Sequence, residues 1–504
     1  MNTSQYRTPE ITLLSLSDAP FSVKPTAAHE LQLQQIINAL QGSGIAASPV
    51  GIICSPRVTR YTVSVTSAQQ ARKIRNMRLE LAMQLPTSPY LRILSSPDDA
   101  LSVFIEIPND TPTPVRLGSL IDTEIFRNAS ATTVPLGVDV AGSPVYADIA
   151  KMPHLLIAGA AGTGKSVLAE AWITSLLYHA SPDRVRLLLI DPTRVDFDAF
   201  QSIPHLLSPV IHDARQALGA LNWATEEMDR RYRCLEKASV YSIDRYNALP
   251  DTDLPPMPHI VIMISEMHDL TLSYNGKVWE SVLCLIAQKA RAVGIHLVIA
   301  SQRPDLDVFT SAVQSNVPAR IAFAVPQAVD SMTILGESGA ETLLGKGDML
   351  YRSTNGRICR IQAACVTADE IGKVTASVCA QNAGFRYDEE AIRGIEAATA
   401  SLTVKERDRD AEEKAEHAKA MNAEKTAFYK AVELAIEYEK ISTLLVQRKL
   451  STGYGAAARI IAKMQEVGIV SQEKVNGAYP LLLSADAIRD LLPQLSERID
   501  FSDC

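Results

Sequence analysis

The chain has 504 residues, 47% of them hydrophobic and 21% charged, with a formal net charge of −8 at pH 7. This is the composition of an ordinary globular protein, long enough for three or four domains at roughly 150 residues each. It excludes a protein that coats nucleic acid through its overall charge, but leaves room for a local basic channel.

No apolar run approaches the ~20 residues of a membrane span, and the first ten residues lack a signal-peptide pattern. Seven scattered cysteines with no C-x-x-C pair read as reduced thiols of a cytoplasmic protein. The nine histidines do not cluster with them, so no zinc site is expected.

Residues 1–24 read as a flexible tail. Residues 25–128 read as a small α/β module, with a helix over Glu30–Leu40, a half-buried alternating strand over Val58–Val65, a helix over Ala68–Met83 and a strand over Val103–Ile107. Arg72, Lys73, Arg75 and Arg78 fall on the polar side of the second helix, where a solvated face is the simplest reading.

Residues 129–386 form an α/β engine. A hairpin over Thr133–Ile149 turns at Ala141-Gly142-Ser143. Strands then follow at His154–Ala158, Val185–Ile190, Ile260–Ile264, His296–Ala300 and Arg320–Phe323, with helices between most of them. Short apolar strands alternating with helices predict a largely parallel sheet covered on both faces, with ligands at the carboxyl ends of the strands.

The first of these strands leads into Gly159-Ala160-Ala161-Gly162-Thr163-Gly164-Lys165-Ser166, the pattern G-x-x-x-x-G-K-[ST]. The chemistry needs those residues at that spacing. Small residues let backbone N–H groups close around a β-phosphate, and the following helix points its N-terminus at the anion. Lys165 reaches the β- and γ-phosphates, and the Ser166 hydroxyl joins the Mg²⁺ shell. ATP and Mg²⁺ are therefore the expected ligands.

Such a site also needs a carboxylate for Mg²⁺ and another to orient the attacking water. The strand ending at Ile264 runs into Ser265-Glu266. Glu266 takes the catalytic-base position, while Ser265 stands where an Asp is usual. A serine gives no anionic pull, but it can hydrogen-bond a metal-bound water. Asp191 and Asp269 are candidates to compensate, and Gln302, at the end of a neighbouring strand, can sense the γ-phosphate or position water.

Residues 387–425 are charged and alanine-rich and read as an exposed helical linker. Residues 426–504 read as a winged helix, with helices over Thr426–Glu439, Ser442–Leu450 and Gly455–Val467 and a wing turning at Asn476-Gly477. The third helix would enter a major groove; a protein-interaction winged helix is the alternative.

Taken together, stretches such as HLLIAGAAGTGKSVL, AQKARAVGIHLVIASQRPDLDVF and QRKLSTGYGAAARIIAKMQEVGIVS resemble the FtsK/SpoIIIE family of DNA translocases over most of the chain. The resemblance implies an α module, a RecA-like β motor and a winged-helix γ module. It also implies a hexameric ring with double-stranded DNA in its pore, ATP sites between subunits, and an arginine supplied in trans. By position Arg291 is the first candidate for that arginine and Arg320 the second.

Three departures stand out. Ser265 replaces the family's Asp. Gly455 and Ala456 replace the Asn and Arg that begin the recognition helix, although Arg459 remains beside Arg448 and Lys449 as a DNA contact. The N-terminal membrane domain of the chromosomal members is not expected. The reading is therefore an ATP-driven duplex-DNA pump acting on chromosomal, plasmid or mobile-element DNA, with a recombinase or a division or mobility protein as a further partner. Two alternatives remain: a secretion or conjugation ATPase of the same superfamily, and a low-turnover nucleotide-binding DNA scaffold.

Overall fold

In a computed structural model, residues 6–17, 20–85, 91–96, 99–249, 255–273, 276–302, 310–381 and 384–498 are described. The chain divides into two units, Met1–Ala400 and Ser401–Cys504.

The first unit holds two sheets. The smaller has strands β1 (Ala47–Cys54), β2 (Val58–Val65), β3 (Arg92–Ser95) and β4 (Ser102–Pro108), in the order β1-β2-β4-β3 and antiparallel throughout. Helices Ala27–Gly42 and Ala68–Asn76 contribute Ile36, Leu40 and Ile74 to a core with Tyr61, Val63 and Ile105. The helix expected over Ala68–Met83 breaks at Met77, and a short helix resumes at Arg78. Its four basic residues are exposed, as a solvated face requires.

The larger sheet has nine strands: β5 (Thr133–Asp139), β6 (Pro144–Asp148), β7 (His154–Ala158), β8 (Val185–Ile190), β9 (His259–Ile264), β10 (Ile295–Ser301), β11 (Ala319–Phe323), β12 (Asp348–Arg352) and β13 (Ile358–Ala363). Their order is β6-β5-β13-β12-β11-β7-β10-β9-β8. From β11 to β8 every pairing is parallel, whereas β12, β13, β5 and β6 pair antiparallel. The sheet is thus mixed, parallel in its functional half. β10 lies between β7 and β9, so their carboxyl ends open side by side, which is the RecA-like arrangement. All five β7 residues are buried, as a strand covered on both faces demands.

Helix Lys165–His179 follows β7 and buries Leu168, Trp172, Ile173 and Leu176. The Trp172 indole N–H donates to the Pro135 carbonyl at 2.8 Å, so this large apolar side chain is buried without an unsatisfied donor.

Two expectations change here. The described part of the N-terminal tail is pinned rather than loose. The Tyr6 hydroxyl donates to Leu177 O at 2.6 Å, the Ser15 N–H donates to Glu370 at 2.7 Å, and Leu14 is buried. The tail's first five residues lie outside the described residues, as does Arg303 after Gln302. The charged linker also starts as packed structure. Helix Glu389–Tyr438 buries Ala391, Ile395 and Ala398, and a Cβ at Gly394 would meet Trp223 Cδ1 at 2.4 Å.

The second unit packs Phe428, Val432, Ile441, Val446, Ile460, Ile461, Met464, Ile469 and Ile488 into one core. Helices Thr443–Leu450 and Tyr454–Glu466 are joined by a turn with Ser451 in the left-handed region. Strands β14 (Lys440–Ile441) and β15 (Tyr479–Pro480) pair antiparallel. Asn476 and Gly477, at φ 52° and 81°, turn the wing, as an Asn-Gly hairpin requires. A further helix, Ala485–Arg498, was not expected from the sequence.

Candidate nucleotide site

The loop after β7 carries the phosphate-binding pattern. A Cβ at Gly159 (φ 153°) would lie 2.7 Å from Phe323 Cβ, and one at Gly164 (φ 122°) 2.9 Å from Gly347 N. Only glycine lets β11 and the Gly347 turn approach this closely. The loop is tied down by Ala160 N–H donating to Ala324 O at 2.9 Å and Gly347 N–H donating to Thr163 O at 2.8 Å. The Thr163 hydroxyl donates to Ala160 O at 2.7 Å, while Ala161 and Gly162 are exposed at the tip.

Lys165 is buried, and its ammonium donates to Gly159 O at 2.7 Å and Ala160 O at 3.0 Å. Burial lowers its pKa, and the charges of Glu266 and Asp196 oppose that shift. No side chain caps the N-terminus of helix Lys165–His179, so its first N–H groups remain for an anion.

Glu266 is 3% exposed. Oε1 accepts from the Ser301 hydroxyl at 3.0 Å and from the Gln302 N–H at 3.1 Å, and Oε2 accepts from the same N–H at 3.0 Å. Gln302 therefore fixes Glu266 through its backbone, and its own side chain is exposed. β9 and β10 thus bring Glu266 and Gln302 together beside the loop.

Ser265 turns elsewhere. Its hydroxyl donates to Asp191 Oδ1 at 2.8 Å. Asp191 is fully buried. Oδ1 also accepts from the Thr193 N–H at 3.1 Å and hydroxyl at 2.6 Å; Oδ2 accepts from the N–H groups of Val195, Asp196 and Phe197 at 3.0, 2.9 and 3.0 Å. Burial alone would raise the Asp191 pKa, but these hydrogen bonds outweigh it and the net shift is downward. Asp191 is the staple of its own loop, with no lone pair to spare for a cation. Asp269 lines a separate cleft with Pro192, His212 and Arg215.

Two acids that the sequence reading passed over lie at the loop. The pKa of Asp196 is raised. Burial is the larger cause and the charge of Asp191 adds to it, while the charge of Lys165 opposes. Glu170, one helical turn after Ser166, is pushed up to about 7 by burial and then by the charge of Asp196. The i, i+4 spacing of Ser166 and Glu170 was readable. Asp196 was not, because only the bonds to Asp191 fold it back.

The two arginines differ. Arg291 is exposed in the 3₁₀ turn Ala290–Val293 before β10, at the amino end of that strand and so away from the loop at the carboxyl end of parallel β7, in a cleft of about 940 Å³ that Asp148, Arg184 and His259 also line. Arg320 is committed within its own chain. Its guanidinium donates to Ile334 O at 2.9 Å, Gln314 O at 2.8 Å and Val317 O at 3.3 Å, so it is not free to reach a neighbouring subunit.

In the second unit Arg448 and Lys449 are exposed in the last turn of their helix, with Lys449 Nζ 5.6 Å from the Tyr438 ring centroid. Gly455 is the second residue of helix Tyr454–Glu466, and a Cβ there would meet nothing within 4 Å. Arg459, one turn on, lies 3.6 Å from Glu424 and keeps 56% of its side chain exposed.

Comparison with known proteins gives matches to the FtsK/SpoIIIE family over residues 116–305, the FtsK alpha domain over 8–109 and the FtsK gamma domain over 422–483. A DNA translocase FtsK of Clostridium tetani is 37% identical over 494 residues, covering 97% of this chain and 64% of that protein. The DNA translocase SftA of Bacillus subtilis is 37% identical over 484 residues, covering 95% of this chain and 48% of that protein. The chain thus spans less than two thirds of the length of these curated relatives. Among solved structures, the pCW3 conjugation coupling protein TcpA aligns with a TM-score of 0.49 and 20% identity, over 69% of this chain and 99% of that one. Among the described residues no helix is long and apolar enough to cross a membrane.

Proposed function

The chain belongs to the FtsK/SpoIIIE family, and from that premise we propose that it hydrolyses ATP to drive duplex DNA through a ring of its own copies. One observation carries the reading. Glu266 is clamped by Ser301 and the Gln302 N–H at the strand ends beside a loop whose lysine and helix N-terminus suit a triphosphate.

The residues present fit a Mg²⁺–ATP complex: a buried ammonium, uncapped helix N–H groups and the Ser166 hydroxyl converge on the loop. The loop N–H groups would cradle the phosphates, and Lys165 would leave the Gly159 and Ala160 carbonyls for phosphate oxygens. Ser166 would hold Mg²⁺, which neutralises phosphate charge when bound. Glu266 takes the proton of the attacking water, held in place by neutral donors that do not compete for that proton. Arg291, exposed and far from its own loop, is the group offered to a neighbour's site. The motor serves the C-terminal winged helix, whose Arg448, Lys449, Gly455 and Arg459 meet DNA.

The test is the ATPase rate of the purified chain with and without linear duplex, together with displacement of a third strand from a triplex-bearing duplex. Duplex-stimulated hydrolysis and ATP-dependent displacement, both lost in Glu266→Gln, are expected. ATP binding without duplex stimulation would instead favour a low-turnover scaffold.

A further inference from the structure

The P-loop is held from behind by a turn whose own backbone is strained. Gly345, Lys346 and Gly347 follow one another at φ 68°, 49° and 93°. Lys346 is not glycine, so its left-handed backbone persists only where the surroundings fix it. The four carbonyls of residues 344–347 all accept hydrogen bonds. Two are held from β13, where Gln362 Nε2 donates to Lys346 O at 3.0 Å and the Ala363 N–H donates to Gly347 O at 2.7 Å. The other two are reached from the small sheet. Arg57, in the turn between β1 and β2, donates through Nη2 to Leu344 O at 3.1 Å and to Gly345 O at 3.4 Å.

Arg57 is itself fixed. The Asn109 N–H donates to Arg57 O at 3.0 Å, the Thr113 N–H donates to Pro56 O at 2.9 Å, and the Ser55 hydroxyl donates to Val58 O at 2.7 Å. A tied turn of the small module therefore presents a guanidinium to a strained turn of the large sheet.

That strained turn sets the P-loop. The Gly347 N–H donates to Thr163 O at 2.8 Å. The Thr163 carbonyl and the Gly164 N–H belong to one planar trans peptide and point opposite ways. Anchoring the carbonyl on the turn thus aims the Gly164 N–H away from it, among the loop N–H groups expected to close around a phosphate. The packing leaves no slack, since a Cβ at Gly164 would lie 2.9 Å from Gly347 N. A shift of the turn passes directly to the loop.

We propose that Arg57 is a positioning residue for the nucleotide. From the small module it holds the turn that orients the peptide between Thr163 and Gly164, and so it raises ATP affinity without touching ATP. The inference rests on ATP binding at the P-loop.

The experiment uses the full chain, a fluorescent, non-hydrolysable ATP analogue with Mg²⁺, and hydrogen exchange without nucleotide. Arg57→Ala should weaken analogue binding by roughly 2- to 30-fold, the range for a contact that acts through a network. The same ratio to the parent should hold from about 0.1 M to 1 M salt, where the screening length falls from ~10 Å to ~3 Å. Amides of residues 344–348 should exchange faster in Arg57→Ala, while those of β2 and β4 keep the parental rate. Arg57→Lys, which keeps the charge and one donor group, should fall between parent and Arg57→Ala in both readouts. Parental affinity in Arg57→Ala overturns the proposal. A defect that vanishes at high salt also overturns it, because Arg57 would then act as a distant charge. So does weaker binding with parental exchange at residues 344–348. If Arg57→Ala also loosens β2 and β4, Arg57→Lys decides, and parental affinity there overturns the proposal. A parent that binds no analogue under any condition refutes the ATP reading itself, and the inference with it.

Discussion

Glu106 and Asp196 are both carboxylates in the first unit, and they are treated in opposite ways. Glu106 is fully buried on β4 and meets Arg60 at 2.6 Å and Arg360 at 2.5 Å, while Arg360 also holds Asp348 at 2.6 Å. Burial would raise the Glu106 pKa, but the charges of Arg360, Arg60 and Arg92 overcome it and the net shift is downward. Asp196 is less buried, yet its pKa goes up. The difference lies in the partners. Guanidinium groups make Glu106 a fixed structural anion, whereas for Asp196 burial outweighs the opposing charge of Lys165. Paired carboxylates such as Glu106 tie the two sheets of the first unit together.

The paired cluster is not remote from the chemistry. Asp348 follows Gly347, whose N–H holds the Thr163 carbonyl of the P-loop at 2.8 Å. The Asp348 carboxylate also accepts from the Leu344 N–H at 2.8 Å, closing the Gly347 turn. The small sheet therefore reaches the nucleotide loop through Glu106, Arg360 and Asp348.

The largest effect is expected at a third carboxylate, Glu266, which neutral donors hold. Glu266→Gln keeps the size and loses the base. ATP should still bind, while turnover falls by ~10²-fold or more. Lys165→Ala should lose both, since a direct charge contact to phosphate is gone. Nucleotide titration beside single-turnover hydrolysis separates the two. Parental hydrolysis by Glu266→Gln would move the base elsewhere.

Breaking the paired cluster comes next. Arg360→Met leaves Glu106 and Asp348 facing each other without their shared cation, a loss of about 3–5 kcal/mol for a broken buried pair. Urea denaturation at neutral pH reads this, and Asp196→Asn should show no such loss. The pH dependence follows from the sign of the Glu106 shift, with Arg60, Arg92, Arg360 and Asp348 around it. A folded pKa below the unfolded value of ~4.3 gives stability that is fully present above that value. It is lost as pH falls through the lower folded pKa. Arg360→Met should therefore lose less stability than the parent on acidification from pH 5 to pH 3.

The two arginines sharpen the same contrast from the cation side. Arg320→Ala leaves three carbonyls without their donor and should cost about 1–3 kcal/mol. Arg291→Ala, at an exposed site, should stay within about 0.5 kcal/mol of the parent and yet lose ATPase. Mixing inactive Arg291→Ala with inactive Glu266→Gln should restore some hydrolysis if the site is shared between subunits. Silence in verified mixed assemblies would count against Arg291.

These contrasts also explain what the sequence could reveal. Lys165 and Glu266 were legible because strand, loop and helix are consecutive, so spacing alone defines the chemistry. Strands β7 to β11 were legible as continuous apolar runs. β1 was hidden by Pro49 and Gly51, where the structure places a register shift. β12 and β13 were missed, and with them the antiparallel half of the sheet. The fold-back of Asp196 and the commitment of Arg320 depend on bonds between a side chain and the backbone of irregular segments, which no helix or strand periodicity encodes. Residues 391–398 looked like a charged linker because their buried positions are mostly alanine, with little hydrophobic contrast.

The smallest effect, and the most selective, is expected in the second unit, where the logic reverses sign. Arg448 and Lys449 are exposed cations that form no salt bridge among the described residues, while Arg459 leans on Glu424 at 3.6 Å. Cations free to meet phosphate give binding that falls steeply with salt and carries no direct sequence information. Gly455 and Ala456 present no side-chain donor at the start of the helix. The full chain should thus bind random duplexes through this unit without a strong consensus, and Arg448→Ala with Lys449→Ala should reduce the salt slope by roughly 2. Replacing Gly455-Ala456 by Asn-Arg is sterically open at position 455, since a Cβ there meets nothing within 4 Å. If this helix enters the major groove, each good base pairing adds about 1–3 kcal/mol of discrimination. Selection from a random duplex library, with both chains at one salt concentration, reads the result. A sharp consensus for the unmodified chain would show that Arg459 or the wing reads bases unaided. Absence of duplex binding by either chain would make this a protein-docking winged helix, its exposed Arg448 and Lys449 then facing an acidic partner.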